Sequence, residues 1–151
     1  MKLIIQRVKR ASVTIGGELR GEIGQGLMIL FGAKDGDALE LAPRLAHKAA
    51  NLRVFADGAG RMNRSALEIG GGALAVPNFT LFADTGRGNR PSFLSAAKPP
   101  FAREAFESFC EALRAYPFAR LGFGAFGADM LVDLVNDGPV TIVMDTDTWG
   151  R

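Results

Sequence analysis

The chain is poor in the residues that most often carry metal and nucleophilic chemistry, with one cysteine and one histidine among 151 residues. Cys110 alone cannot form an internal disulfide, and one Cys with one His cannot build a standard zinc site. A serine or cysteine nucleophile needs an imidazole beside it, but His47 lies in a predicted helix, where a surface residue is the ordinary interpretation. A carboxylate-only magnesium site stays open, although the aspartates between Asp129 and Asp147 show no ligand pattern. We therefore expect no cofactor and no metal.

Long apolar runs and dense charge are also missing. The longest strongly apolar run, Leu27 to Ala33, is too short to span a membrane, and the charge at Lys2 comes too early for a signal peptide. The net charge of +2 permits an anionic partner and favours local contact over extensive wrapping. The mean hydropathy of +0.12 is slightly high for a small domain and favours a buried subunit interface. We expect one domain over residues 1–151 in the cytoplasm.

The pattern of apolar residues predicts a mixed set of elements. Helices are expected over residues 38–52, with Asp37 as N-cap, and over residues 101–116. A hairpin is expected around residues 54–61. Strands are predicted over residues 3–10, 11–15, 19–23, 27–32, 73–82, 128–135 and 140–145. Strands grouped before and after two helices favour an α+β fold with mainly antiparallel sheets.

One glycine-rich segment imitates a dinucleotide-binding fingerprint. Residues 122–127 match the pattern G-x-G-x-x-G letter for letter. That motif requires a strand before it and a helix after it, so that a pyrophosphate meets the helix N-terminus. Here a helix end and Pro117 precede the segment, and a strand-like run follows. We interpret the match as chance.

Two short segments offer backbone chemistry. Gly138-Pro139 is most simply a turn between strands, but a cis bond there would direct two carbonyl groups the same way, towards an ammonium group. Thr80 is most simply a structural strand residue. If it ends a strand beside a loop, however, the N–H groups of Phe79 and Thr80 can serve as oxyanion donors. Neither segment predicts a function alone.

Taken together, the segments of this chain resemble the D-aminoacyl-tRNA deacylase family, nearly end to end and in order. The matching segments are Gln6-Arg7-Val8, Ala11-Ser12-Val13, Gly21-Glu22-Ile23-Gly24, Gly26-Leu27, Met62-Asn63, Phe79-Thr80-Leu81, Ala83-Asp84, Arg90-Pro91-Ser92-Phe93, Phe126-Gly127-Ala128-Asp129-Met130 and 134–141.

The resemblance implies an ester hydrolase that acts on D-aminoacyl-tRNA, and often on glycyl-tRNA, as translation quality control. It implies a homodimer whose mainly antiparallel sheets close into a barrel-like α+β core with two main helices. A cis Gly138-Pro139 from the partner subunit would screen chirality. The 2′-OH of the tRNA would assist water, so side-chain catalysis would be minor.

The site residues implied by the resemblance are of two kinds. Phe79 and Thr80 are the catalytic candidates. The candidates for binding the substrate, which is the 3′ end of an aminoacyl-tRNA, are Pro77, Asn78, Met130, Gly138 and Pro139. The family usually has Ser-Gln where this chain has Pro77-Asn78, a departure that bears on substrate choice.

Two alternatives stay open. The small number of candidate catalytic side chains is also compatible with a non-catalytic tRNA-binding module of the same fold. It is equally compatible with a hydrolase of free D-amino-acid esters. Candidates for RNA contact near the motif loops are Arg87, Arg90 and Lys98. The simpler interpretation is that these residues belong to a loop exposed to solvent.

Overall fold

A computed structural model describes residues 1–149 and contains two α-helices beside a curved mixed sheet. The strands are β1 (Lys2–Ile15), β2 (Glu18–Ile23), β3 (Gly26–Gly32), β4 (Phe55–Ala56), β5 (Met62–Arg64), β6 (Gly72–Pro77), β7 (Leu121–Phe123) and β8 (Leu131–Asp145). The helices are α1 (Leu41–Ala50) and α2 (Phe101–Arg114), with 3-10 turns at Phe79–Phe82 and Thr146–Thr148.

Strand β1 organises the sheet. It pairs antiparallel with β2, β3 and β8, while β3–β6 and β6–β7 pair in parallel. β2 comes back against β7, where a Cβ on Gly21 would lie 3.1 Å from the Cα of Gly122. Two glycines therefore let the backbones approach and bring the sheet close to a barrel. The predicted α+β class, with mainly antiparallel pairing and two main helices, is confirmed.

Alternating residues of the central strands face two separate cores. On β3, Leu27, Ile29 and Phe31 pack in the cluster that includes both helices, whereas Met28 packs in a second cluster with Val8. Both faces of β3 are thus buried, as its continuous apolar sequence indicates.

The helices match the prediction in number and differ in their boundaries. α1 begins at Leu41, not at residue 38, and the predicted N-cap is wrong: Asp37 accepts the Lys34 N–H at 2.9 Å, and Glu40 occupies the N-cap without a side-chain bond. Pro43 lies in the first turn, where its missing N–H costs nothing. The helical spacing of the sequence predicts an apolar face for α2 at Ala102, Ala105, Phe106, Phe109, Leu113 and Tyr116. The structure buries the first five, and α2 ends at Arg114, two residues before its predicted end.

Three predicted strand boundaries need correction. The two strands expected over residues 3–15 form the single strand β1. The two expected over 128–135 and 140–145 form the single strand β8. Both are continuous because β1 and β8 pair along almost their whole length. β6 ends at Pro77 instead of continuing to residue 82. The residues from Phe79 form a 3-10 turn, since Pro77 has no N–H for a ladder and Asn78 binds backbone donors itself.

The fingerprint-like segment has the wrong context, as expected from the sequence. Gly122 and Phe123 belong to β7, a short strand that the sequence did not predict, but the chain continues after Gly127 into strand β8 without the helix that the motif needs. The hairpin expected around residues 54–61 is present as β4 and β5. Among the described residues, no helix has the length and apolar character needed to cross a membrane.

Candidate active site

A largely apolar cleft of about 510 Å³ opens where the end of β6 meets the loop before α2 and the segment leading into β8. Three stretches of the chain supply its lining, namely Pro77, Asn78 and Phe79, then Phe93, Ala96, Ala97, Lys98 and Pro99, and finally Phe126, Gly127, Ala128, Asp129 and Met130. The structure thus brings four of the predicted site residues, Pro77, Asn78, Phe79 and Met130, to one cavity.

The first wall of the cleft is fixed by the backbone. The Asn78 N–H donates to Phe31 O at 2.7 Å, which extends the contact with β3 beyond Pro77. Asn78 then acts as the N-cap of the 3-10 turn, and its Oδ1 accepts the Thr80 N–H at 3.1 Å. Asn is among the preferred N-cap residues because its short side chain reaches these donors. The turn therefore has a defined geometry at the point where it meets the cleft.

The two candidate oxyanion donors differ in their surroundings. The Thr80 N–H and hydroxyl both donate to Asn78 Oδ1, and Thr80 lies beside the cleft and not in its lining. The Phe79 N–H finds no acceptor within the described part of the chain. Of the two amides, only that of Phe79 is left without an acceptor among the described residues.

Gly138 and Pro139 bulge from β8 between the paired residues Asn136 and Thr141. Their peptide bond is cis, as the family resemblance implies. A Cβ on Gly138 would lie 1.9 Å from the Val140 nitrogen, so only glycine fits. The bulge is therefore a crowded stretch of backbone.

Side chains on both sides hold this bulge. Asn136 Nδ2 donates to Arg7 O at 3.2 Å and to Val140 O at 3.0 Å. The Arg7 guanidinium donates through Nε to Asp137 O at 2.8 Å and through Nη1 to Val54 O at 2.6 Å. Asn136 and Arg7 thus hold the backbone on either side of Gly138.

Within one chain, Gly138-Pro139 does not reach the cleft formed by Pro77, Asn78 and Phe79. The bulge is level with Arg7 on β1, whereas Pro77 is level with Phe31 and, across β3, with Leu3. Four residues along a strand correspond to about 13 Å. The two halves of the predicted site are therefore separated in the single chain.

A second, more polar cleft of about 460 Å³ lies beside the bulge. Arg7 and Lys9 line it and approach the Asp137 carboxylate at 3.4 and 3.3 Å. From the sequence, Arg7 was identified only as part of a segment that resembles the family. Its hydrogen bonds show that it supports the backbone next to Gly138, a role that depends on contacts between distant parts of the chain.

The two residues with the most reactive side chains lie outside the cleft. Burial raises the pKa of the Cys110 thiol to about 12, so it remains protonated at neutral pH. His47 Nδ1 lies 2.8 Å from the Tyr116 hydroxyl, on the exposed side of α1. Neither residue lines the 510 Å³ cleft. Among the described residues, no group of three His, Cys, Asp or Glu side chains is arranged to hold a metal ion.

Sequence reasoning overlooked several residues of the cleft. Phe93, Phe126 and Asp129 line it beside Lys98, yet none of these three had been considered for contact with the substrate. Phe93 and Phe126 belong to matching segments, which was the signal that could have identified them. Their distance along the chain from Pro77 hid the fact that the three stretches meet.

Comparisons with known proteins agree with this description. A model of the family "D-Tyr-tRNA(Tyr) deacylase" matches residues 4–145. A D-aminoacyl-tRNA deacylase of Deinococcus deserti is 53% identical over 96% of this chain and 99% of its own. One of Roseiflexus castenholzii is 55% identical over 97% of this chain and 92% of its own.

Solved structures share the architecture. A protein described as "c-Myc DNA Unwinding Element Binding Protein" aligns with a TM-score of 0.88 and 39% identity, over 96% of this chain and 98% of its own. A probable eukaryotic D-amino acid tRNA deacylase aligns with a TM-score of 0.80 over 95% of this chain and 97% of its own. At 14% identity, that second likeness supports the fold alone.

These matches define the class of protein as a deacylase, which is a hydrolase. The chain belongs to the D-Tyr-tRNA(Tyr) deacylase family. The predicted membership of the aminoacyl-tRNA deacylases, and with it the prediction of an enzyme, is confirmed.

Proposed function

We propose that the chain hydrolyses the ester between a D-amino acid and the terminal ribose of tRNA, with the 510 Å³ cleft as the site of reaction. Water adds to the ester carbonyl carbon, the bond to the ribose oxygen breaks, and a proton passes to that oxygen. The products are a free D-amino acid and tRNA with its hydroxyl restored. Translation quality control in the cytoplasm is the corresponding cellular role.

The free N–H of Phe79 is the observation that carries this proposal. It belongs to a residue that lines the apolar cleft, in a turn fixed by Asn78, so it requires little rearrangement to meet the negative charge that develops on the carbonyl oxygen. Among the described residues, Asp129 supplies the only carboxylate in the lining, and its side chain is exposed. We propose that the 2′-OH of the tRNA assists the attacking water and that Pro77, Asn78 and Met130 shape the site around the terminal nucleoside.

A second copy of the chain completes the site in this proposal. Gly138-Pro139 lies away from its own cleft, on β8, which pairs with β1 alone among the described strands. β8 also exposes apolar side chains at Leu131, Val135 and Val143. A homodimer formed through this strand would cover them and direct the bulge of each subunit towards the cleft of the other.

Chiral selection follows from a rigid backbone at that position. The carbonyl groups of Gly138 and Pro139 would receive the α-ammonium group of the substrate. With the ammonium and ester groups held, a D side chain points to solvent and an L side chain meets backbone, which cannot rotate away. Glycine has no side chain to reject, so glycyl-tRNA should also be a substrate.

A deacylation assay with matched D-aminoacyl-, L-aminoacyl- and glycyl-tRNA tests the proposal. At enzyme concentrations far below substrate, we expect release of the amino acid from the D and glycyl substrates and none from the L substrate. Activity should persist in the presence of a chelator. Protection of the D substrate at stoichiometric protein, without turnover, would indicate the tRNA-binding module instead. Turnover of simple D-amino-acid esters but not of tRNA would indicate the small-molecule hydrolase.

A further inference from the structure

Two aromatic side chains form an exposed pair at the cleft. The rings of Phe79 and Phe93 meet edge to face, with centroids 5.1 Å apart and an interplanar angle of 75°. Phe79 is 53% exposed and Phe93 is 37% exposed, and both line the cleft. The hydrolytic step proposed above uses the backbone of Phe79 but neither ring. The pair therefore calls for a separate explanation.

The loop before α2 is built so that it holds Phe93 in this position. Asp84 and Ser92 exchange backbone hydrogen bonds of 2.7 and 2.9 Å, which close the loop between them. Ser95 Oγ donates to Phe82 O at 3.0 Å and fastens the following residues to the 3-10 turn. The segment Arg90-Pro91-Ser92-Phe93 thus acquires a structural role, which is to place an aromatic ring beside Phe79.

Cationic side chains accompany the aromatic pair. Arg87 and Arg90 are exposed on the closed loop, and Lys98 is exposed in the lining of the cleft. Within the described part of the chain, none of the three takes part in an ion pair. Exposed aromatic rings beside unpaired cations suit single-stranded nucleic acid, whose bases stack on the rings while its phosphates meet the cations.

We propose that Phe79 and Phe93 form a stacking platform for the single-stranded 3′ end of the RNA. The platform takes the base next to the terminal nucleoside, while the terminal nucleoside enters the cleft. This inference rests on the proposed function and adds to it a second point of contact outside the reacting ester. A stacked base contributes to binding without sequence preference because every base has a π-face.

Substrates of two lengths test the platform. The D-aminoacyl ester of adenosine carries only the terminal nucleoside, whereas a D-aminoacyl trinucleotide also carries the stacked base. For the trinucleotide, Phe93→Ala and Phe93→Leu should raise KM by about 5- to 140-fold, which corresponds to about 1–3 kcal/mol for one stacked base. For the adenosine ester, both variants should raise KM by a smaller factor, and the difference between the two substrates measures the stacked base.

Two further variants serve as controls. Phe93→Trp keeps an aromatic face and should retain a low KM for the trinucleotide. Leu94→Ala removes a neighbouring apolar side chain that is 81% exposed and should have no effect. An abasic second nucleotide should reduce the difference between the unaltered protein and the Phe93→Ala variant to the difference seen with the adenosine ester, since no base is then present to stack.

Binding of an uncharged, labelled RNA trinucleotide separates this inference from the proposed function. Weaker binding by Phe93→Ala supports the platform even if the protein proves inactive, and inactivity of the unaltered protein on every D-aminoacyl substrate overturns only the proposed function. Equal loss on the adenosine ester and the trinucleotide would assign Phe93 to the shape of the cleft. The platform would be overturned by that result or by an unchanged KM of Phe93→Ala for the trinucleotide. It would also be overturned if Phe93→Leu had the same KM for the trinucleotide as the unaltered protein.

Discussion

The side-chain oxygen of Asn78 accepts both the backbone N–H and the hydroxyl of Thr80. This relationship gives Thr80 an indirect place in the site: it orients the turn, and Phe79 presents the amide that remains free. It also gives the short side chain of Asn78 a role in the turn. Asn has the shorter reach that an N-cap requires.

Replacing Asn78 should therefore loosen the turn. Asn78→Ala removes the acceptor of two hydrogen bonds and should lower the free energy of unfolding by about 1–2 kcal/mol. Its kcat should fall, because the Phe79 amide loses its orientation. Asn78→Asp keeps the acceptor and should restore kcat, whereas Thr80→Val, which loses only the hydroxyl bond, should be mildly affected. Deacylation kinetics combined with thermal unfolding will check this, and equal kcat for Asn78→Ala and the unaltered protein would contradict it.

Gly138 should not tolerate any side chain. Gly138→Ala places a Cβ 1.9 Å from the Val140 nitrogen, so the bulge must shift, at a cost of about 1–3 kcal/mol. Turnover of D-aminoacyl-tRNA should drop by at least about tenfold. Gly58→Ala is a matched control, because a Cβ there meets nothing within 4 Å. Full D-specific activity in Gly138→Ala would show that this backbone has no part in recognition.

Dimerisation should depend on the exposed face of β8. Light scattering should give about twice the monomer mass of 16.1 kDa. Introducing charge with Leu131→Glu and Val143→Glu should produce monomers that remain folded by circular dichroism but lose D-aminoacyl-tRNA turnover. Leu19→Glu, at a 56% exposed position on β2, serves as the control. An unaltered protein that stays monomeric and fully active would rule out a site shared between subunits.

Affinity for tRNA should fall as salt concentration rises, because phosphate contacts release counterions. Removing both cations of the closed loop, in Arg87→Ala with Arg90→Ala, should reduce the slope of log K against log salt by about 0.7 for each lost contact with a single strand. Arg61→Ala is the control, since Arg61 lies in the β4–β5 hairpin and faces Asp57. An identical slope in the double variant would exclude both arginines from RNA contact.

The Cys110 thiol should be inert and should affect stability only at high pH. Burial raises its pKa in the folded protein from 9.0 to about 12, so the folded state keeps a proton that the unfolded state loses above pH 9.0. Stability is therefore fully present below pH 9.0 and declines towards about pH 12, with a slope of at most about 1.4 kcal/mol per pH unit. Cys110→Ala should remove this part of the decline in chemical unfolding experiments. Rapid alkylation of the native protein at neutral pH would contradict the expected burial.

The sequence by itself determined the features that depend on neighbouring residues. The helical spacing of Ala102, Phe106 and Phe109 identified the buried face of α2, because residues three and four apart share one side of a helix. Gly16-Gly17, between the strands predicted over 11–15 and 19–23, is a tight-turn signal in the sequence, and the turn from β1 into β2 lies there. Local chemistry also argued against the fingerprint-like segment, because a strand-like run follows Gly127 where the motif needs a helix.

Only the tertiary structure decided what depends on residues far apart in the chain. Parallel pairing of β3 with β6 brings Phe31 beside Pro77, and no local pattern specifies that partner. Asp is a preferred N-cap residue, but Asp37 accepts a hydrogen bond from the Lys34 N–H instead. Gly138-Pro139 resembled a turn, yet pairing of β8 with β1 on both sides keeps it within one strand. A side chain or strand has several possible partners of similar local energy, and the choice among them is made by the packing of the whole sheet.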